Sequence, residues 1–289
     1  MLTLQILIDG FAISALYGLG AVGFTLMFGV SGVLNLAHGG TILVAAVVAW
    51  LVADKAGAYG GALAGLLAGM ATAFATYFLV VRPIQRSRAI PREETEIFVL
   101  TGTLLWGIML QEAVAYFTTT SPHTVRPLIG GVVDIMGVRT PANEILTAVL
   151  CWGAIGGLWL LINRTRIGKA LLAASINPRG LTLLGFELQR IHFMVWAIYG
   201  VLAGIAGVLL GAFLGVSSDN AGTLTASAFS IVVLGGLGSV SGSLIAAYAV
   251  GYLETITAYT ISPSLRTIPA LLLLVAVVYV RPQGLLGRR

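Results

Sequence analysis

Long apolar runs separated by short polar segments set the rhythm of this chain. They fall near residues 4–29, 39–53, 57–81, 96–118, 143–162, 191–214, 223–237, 240–258 and 267–280. Most approach the length of about 20 residues that crosses a bilayer as a helix. Period-two alternation is weak, which argues against a membrane barrel built from alternating strands of about 10 residues. The pattern predicts an all-α, polytopic membrane bundle with eight to nine membrane segments. Segments 39–53 and 223–237 are short and adjoin glycine-rich breaks, so either is a candidate half-helix.

Composition agrees with the pattern. Of 289 residues, 58% are hydrophobic and 9% charged, and the mean hydropathy is +0.98. A soluble domain carries roughly 25% charged residues, so this chain has too few to cover a water-facing surface. Arg82, Arg86, Arg88 and Arg92 share one loop, and Arg164, Arg166, Lys169, Arg179 and Arg190 another. Arg281, Arg288 and Arg289 follow the last run. With nine spans these three clusters lie on one side, while Lys55, Arg126, Arg139 and Arg266 lie on the other. The positive-inside rule then predicts the N-terminus outside and the C-terminus inside.

No basic residue precedes Lys55, so the start is not read as a cleaved signal peptide, and residues 1–289 are expected to form a single membrane domain. The net charge of +5 is accounted for by topology rather than by nucleic-acid binding. Cys151 is the sole cysteine, which excludes an intrachain disulfide.

Enzymatic signatures are missing. His38, His123 and His192 are scattered without a metal-binding spacing. GGLGSVSG at 235–242 lacks the lysine of a phosphate loop, and no G-x-S-x-G elbow occurs. A transporter, channel or assembly subunit is expected, with no metal in the chain.

Polar chemistry concentrates at two interruptions. GVLNLAHGG at 32–40 places Asn35, His38 and Gly39 between apolar runs, and the stretch at 235–242 contributes Gly236, Gly238, Ser239 and Ser241. Non-helical backbone at membrane depth requires burial in protein or a wet cavity, and broken helices present free backbone groups to polar solutes. One reading has the two breaks meeting around a central path, as halves of an internal pseudo-repeat. The other has Asn35 and His38 bracing backbone at a helix end. Glu112 and Glu254 lie within spans and are expected to face the interior.

Two further patterns concern assembly. Gly200, Gly204, Gly207, Gly211 and Gly215 recur at helical spacing and predict one close-packing face. The loop 164–190 holds NPRGLTLLG, where Asn177 suits an N-cap, Pro178 the first helical position and Gly185 the left-handed position after the end. Leu181 and Leu184, at i and i+3, are expected on one side, packed on the chain's own spans or in a partner's groove.

Four stretches together resemble the permease subunits of ABC importers for branched-chain amino acids, urea and related solutes. They are GVLNLAHGG at 32–40, RTRIGKALLAASINP at 164–178, LGGLGSVSG at 234–242 and RPQGLLG at 281–287. The resemblance covers almost the whole chain and points to the shorter of the family's two permease types. It implies a bacterial-type cytoplasmic membrane and a second permease subunit, expected to form a heterodimer. Two cytoplasmic ATPases would bind the ATP and magnesium, and a periplasmic or lipid-anchored binding protein would deliver substrate. It also implies that Gly168 and the helix from Asn177 to Gly185 belong to the element that couples to the ATPases. Leu172 and the Arg179-Gly180-Leu181 run depart from the family pattern in the coupling loop, and Leu36 and Gly40 depart from it in the implied pathway, which leaves the substrate open among a branched-chain amino acid, urea or an amide, and an aromatic acid. A self-contained secondary transporter or channel is the alternative.

Overall fold

The computed structural model describes residues 2–91, 93–118 and 122–287. Arg92, Arg288 and Arg289, used above for orientation, lie outside the described residues. Helix α1 spans Leu2–Ser31, and α2 spans His38–Ala75. Gly57 interrupts α2 with φ 74° and ψ 175°, and the chain reverses there. A Cβ added to Gly61 would lie 2.5 Å from the Ala49 carbonyl oxygen, and one on Gly65 would lie 2.6 Å from that of Ala45. Residues 38–56 and 58–75 are therefore two antiparallel legs, matching the separate runs at 39–53 and 57–81.

The second leg continues through a π-helical turn, Thr76–Val81, into the short helix α3, Arg82–Arg86. Trp106 Nε1 donates to Thr76 Oγ1 (3.0 Å) at the widened turn and joins it to helix α4, Thr95–Thr118. A hairpin of β1, Val132–Ile135, and β2, Val138–Pro141, follows. This small sheet corrects the all-α expectation. Its two-residue turn has Met136 and Gly137 both at positive φ, the geometry that tight hairpins favour, and Gly137 N–H donates to Asp134 Oδ1 (2.7 Å).

Helices α5, Ala142–Arg164, α6, Arg166–Ile176, and α7, Pro178–Leu183, lead to α8, Leu188–Phe213. The remainder comprises α9, Asn220–Gly235, α10, Val240–Thr260, a 3-10 turn at Pro263–Leu265, and α11, Ile268–Val280. Among the described residues, six helical stretches are long and apolar enough to cross a membrane, and α9 is a shorter apolar helix.

Helix α8 forms the centre because small residues let its neighbours come close, the usual means of helix association in lipid. A Cβ on Gly204 would lie 2.9 Å from Leu66 Cα in the second leg of α2, and one on Gly207 would lie 2.5 Å from the Ile42 carbonyl in the first. Gly200 faces the second leg and Gly211 the first, so these four glycines admit both legs. Gly215 departs from the predicted face. Helix α8 ends at Phe213, and Gly215 sits in the following turn with φ 71°. Antiparallel to α1 runs α10, joined by Thr25 Oγ1 to Ser243 Oγ (2.6 Å) and by Tyr17, whose hydroxyl donates to Glu254 Oε2 (2.7 Å). Glu254 is buried as expected, whereas Glu112 is exposed on α4, correcting the expectation that it faces the interior.

Candidate functional site

The first break is a segment that folds back into the bundle. After α1 ends at Ser31, residues 32–37 are non-helical, and α2 starts at His38. His38 lies against the middle of α1: its ring centroid is 5.3 Å from that of Phe24, and its Nε2 is 3.6 Å from where a Cβ on Gly20 would sit. At 1.5 Å of rise per residue, the chain has climbed back roughly 10–16 Å from the Ser31 end. Helix α2 thus begins inside the protein.

Polar groups of backbone and side chains at that depth need partners, and three neighbouring helices supply them. Leu36 N–H donates to Thr103 Oγ1 of α4 (3.1 Å), and Gly39 N–H donates to Thr225 Oγ1 of α9 (2.8 Å). Asn35 Oδ1 accepts from Ala37 N–H (3.0 Å), while Asn35 Nδ2 donates to Tyr199 Oη of α8 (3.1 Å). His38 Nδ1 lies 3.0 Å from the same oxygen. Asn35, His38 and Tyr199 are fully buried and form one polar cluster. Gly39 must be glycine, because its Cβ would fall 2.0 Å from the Ala221 carbonyl.

Beside this cluster, between α2, α4 and α9, lies a groove of about 230 Å³. Leu36, Gly40, Gly107, Gln111, Gly222 and Thr225 are on its wall. Asn35 and His38 do not line it; they brace the segment that does. A larger cavity of about 590 Å³ lies between α1, α5 and α10, where Glu144 is the one charged group among the described lining residues and the rest of the wall is apolar or aromatic. The smaller groove is the better candidate for a polar solute, because the first helix break and polar side chains meet there.

The second break is built differently. Gly236 has φ 102° and Gly238 has φ 81°, and Ser239 caps α10 by accepting from Gly242 N–H (3.2 Å). Residues 281–287 dock onto the end of α9: Leu285 N–H donates to the Leu234 carbonyl (2.8 Å) and Leu286 N–H to that of Gly235 (3.0 Å). Contact is backbone to backbone. A Cβ on Gly236 would lie 2.4 Å from Gly287 N, and one on Gly284 would lie 2.5 Å from Gly236 N. Gly238 and Ser241 are exposed. None of Gly236, Gly238, Ser239 and Ser241 lines the groove at the first break. Gly39 meets the opposite end of α9, while Gly238 lies beside Gly29 at the end of α1.

In the loop 164–190, two helices replace the single one expected. Thr165 caps α6 by accepting from Gly168 N–H (3.0 Å), and Gly168 is pressed against the end of α5, its Cβ position 2.1 Å from the Leu161 carbonyl. Asn177 Oδ1 accepts from Gly180 N–H (2.9 Å) and Pro178 opens α7. At the far end Gly185 has φ 83°. Its N–H donates to the Thr182 carbonyl (3.0 Å) and that of Phe186 to Leu181 (3.3 Å), the paired bonds of a Schellman stop. Because α7 ends at Leu183, the two leucines diverge: Leu181 is buried in the core while Leu184 is 75% exposed, beside Leu183 at 89%. That corrects their expected placement on one side.

Sequence reasoning did not single out Thr103, Gln111, Tyr199, Thr225 or the role of residues 281–287. Tyr199 carried a usable signal, as a hydroxyl inside an otherwise apolar glycine-rich span. The threonines carried none, since such residues are ordinary in membrane helices.

The profile of the family described as branched-chain amino acid transport system / permease component matches residues 6–278. The high-affinity branched-chain amino acid transport system permease protein BraD of Pseudomonas aeruginosa is 29% identical, over 99% of this chain and 96% of its own length. LivH of Escherichia coli, a permease protein of the same kind of system, is 25% identical over the same shares. The xylose transport system permease protein XylH of Escherichia coli is 33% identical over 42% of this chain and 31% of its own. These relatives are transport permeases rather than enzymes. The chain belongs to the branched-chain amino acid transport system permease family, a multi-pass membrane component of an ABC transport system.

Proposed function

We propose that this chain forms half of the membrane pathway of an ATP-driven importer for branched-chain amino acids or a related small polar metabolite. A second, non-identical permease completes the pathway, two cytoplasmic ATPases drive it, and a periplasmic or lipid-anchored binding protein delivers the solute. The whole chain acts as one permease unit in the cytoplasmic membrane, with its N-terminus outside and its C-terminus inside. Counting the two legs of α2 separately, and α9 and α10 as segments, gives nine passages. The clustering of cations in the loops after α2, after α5 and after α11 supports that orientation. The groove beside the first break is the part of the pathway this chain supplies, with Asn35, His38 and Gly39 fixing its wall.

The observation that carries the coupling is the exposed pair Leu183 and Leu184 at the tip of a helix capped at both ends. Such a rigid, apolar projection in a basic loop suits an ATPase groove. Leu184→Asp places a charge in that interface, where an unpaired charge costs several kcal/mol. The complex should then lose its ATPase on purification and its ATP-driven uptake in proteoliposomes, while the permease still folds. Retained ATPase with full uptake contradicts the coupling. Uptake that persists without any ATPase favours a self-contained transporter.

A further inference from the structure

The wall of the groove is unusual in one residue. Leu104, Gly107, Ile108 and Gln111 of α4 follow each other at spacings of three, one and three, and so form a single stripe facing it. Three of the four are apolar. Across the groove, Thr225 is already engaged, accepting from Gly39 N–H and donating to the Ala221 carbonyl (3.1 Å). Gln111 makes no hydrogen bond to the described residues. An amide inside a membrane segment without a partner is costly, so one that points into a groove implies water or a solute there. Glu112, the next residue, is exposed on the same helix, and a carboxylate within a span does not face lipid without cost.

We propose that Gln111 is the specificity-determining contact of this permease: its amide hydrogen-bonds the polar head of the passing solute while Leu36, Ile108 and Phe229 hold the apolar part. This rests on the groove being the passage. The amide donates to a carboxylate and accepts from an ammonium, so it suits a zwitterion as no single charged side chain does. Among the described residues no charged side chain lines the groove, which disfavours solutes of net charge. Its volume, about 230 Å³, lies below the roughly 300–1,000 Å³ of pockets for drug-sized ligands. A short aliphatic amino acid has the matching size and polarity.

The test uses the complete complex in proteoliposomes with labelled leucine, comparing wild type, Gln111→Met and Gly222→Leu. Methionine keeps the length of glutamine without its hydrogen bonds. Gly222→Leu fills the groove from a position where an added Cβ meets nothing within 4 Å. The expected result is an uptake loss of about ten- to a hundredfold in Gln111→Met, the scale of losing hydrogen bonds to a charged group, with ATPase association unchanged. Near-normal uptake in Gln111→Met with a block in Gly222→Leu overturns the role of Gln111 and leaves the passage standing. Normal uptake in both overturns the passage as well. A second measurement remains informative even if Gln111→Met assembles poorly. In a Cys151→Ala background, the thiol of Gln111→Cys should react with a small water-borne thiol reagent, more slowly when leucine is being transported. An unreactive thiol, or one whose rate leucine leaves unchanged, contradicts the proposal.

Discussion

The chain leaves helical geometry between apolar helices at 32–37 and again at 236–239, and the two places are closed by opposite means. At the first, side chains hold the segment: Thr103 of α4 and Thr225 of α9 take backbone N–H groups, and Tyr199 of α8 takes the Asn35 amide. At the second, backbone meets backbone, with Gly236 against Gly284 and Gly287 and two carbonyls of α9 bonded to the C-terminal segment. A break held by side chains leaves a wall of mixed chemistry beside it, and the groove lies there. One held by glycine contacts leaves no space and works as an anchor. We therefore assign the solute path to the first break and a structural role to the second, although both read alike in sequence, as glycines and small polar groups between apolar runs.

The largest effect should come from filling the anchor. Gly236→Val has to displace the backbone of Gly287 and adopt a left-handed conformation. Overpacking and left-handed strain together cost about 3 kcal/mol, so the melting temperature in detergent and the yield of folded protein should fall sharply. Gly284→Val should fall by a similar amount, and the double variant by less than the sum, because both act on one contact. Unchanged melting in either single variant would show that the two segments separate freely.

A smaller loss is expected from Tyr199→Phe. It removes the hydroxyl shared by Asn35 and His38 and leaves buried polar atoms unpaired, at about 1–3 kcal/mol. Melting in detergent should drop and leucine uptake should weaken, because the segment under the groove loses its brace. Wild-type melting and uptake would mean that the cluster does not hold the first break. Gly238→Leu should have the least effect. Gly238 is exposed and an added Cβ comes no nearer than 3.8 Å to Gly29 Cα, so only its positive φ opposes the change, at about 1–2 kcal/mol. A stability loss as large as that of Gly236→Val would erase the distinction drawn within the second break.

What was legible in the sequence was local. Asn177, Pro178 and Gly185 state the ends of α7 through their own backbone chemistry, and the apolar runs on either side of Gly57 anticipate the two legs of α2. At 132–141 Asp134 and Gly137 mark a tight turn, but the strands on either side are too short to stand out among longer apolar runs. The direction of Leu184 was not legible, because i and i+3 share a face only while the helix lasts, and α7 stops at Leu183. Nor were the partners of the breaks. Tyr199 is 164 positions from Asn35 and Thr225 is 186 from Gly39, and no local pattern specifies such a pairing. RPQGLLG was recognisable as a motif, but its task depends on main-chain groups of α9, which the identities of its side chains do not announce.

The central claim, that solute passes the first break and not the second, is tested most directly by ATP-driven leucine uptake measured side by side for Gly222→Leu and Gly238→Leu in reconstituted complexes with equal ATPase content. Both changes put the same side chain on an exposed glycine, one in the groove and one at the second break. The account predicts that Gly222→Leu abolishes uptake while Gly238→Leu retains most of it; the reverse order, or equal uptake in both, would contradict it.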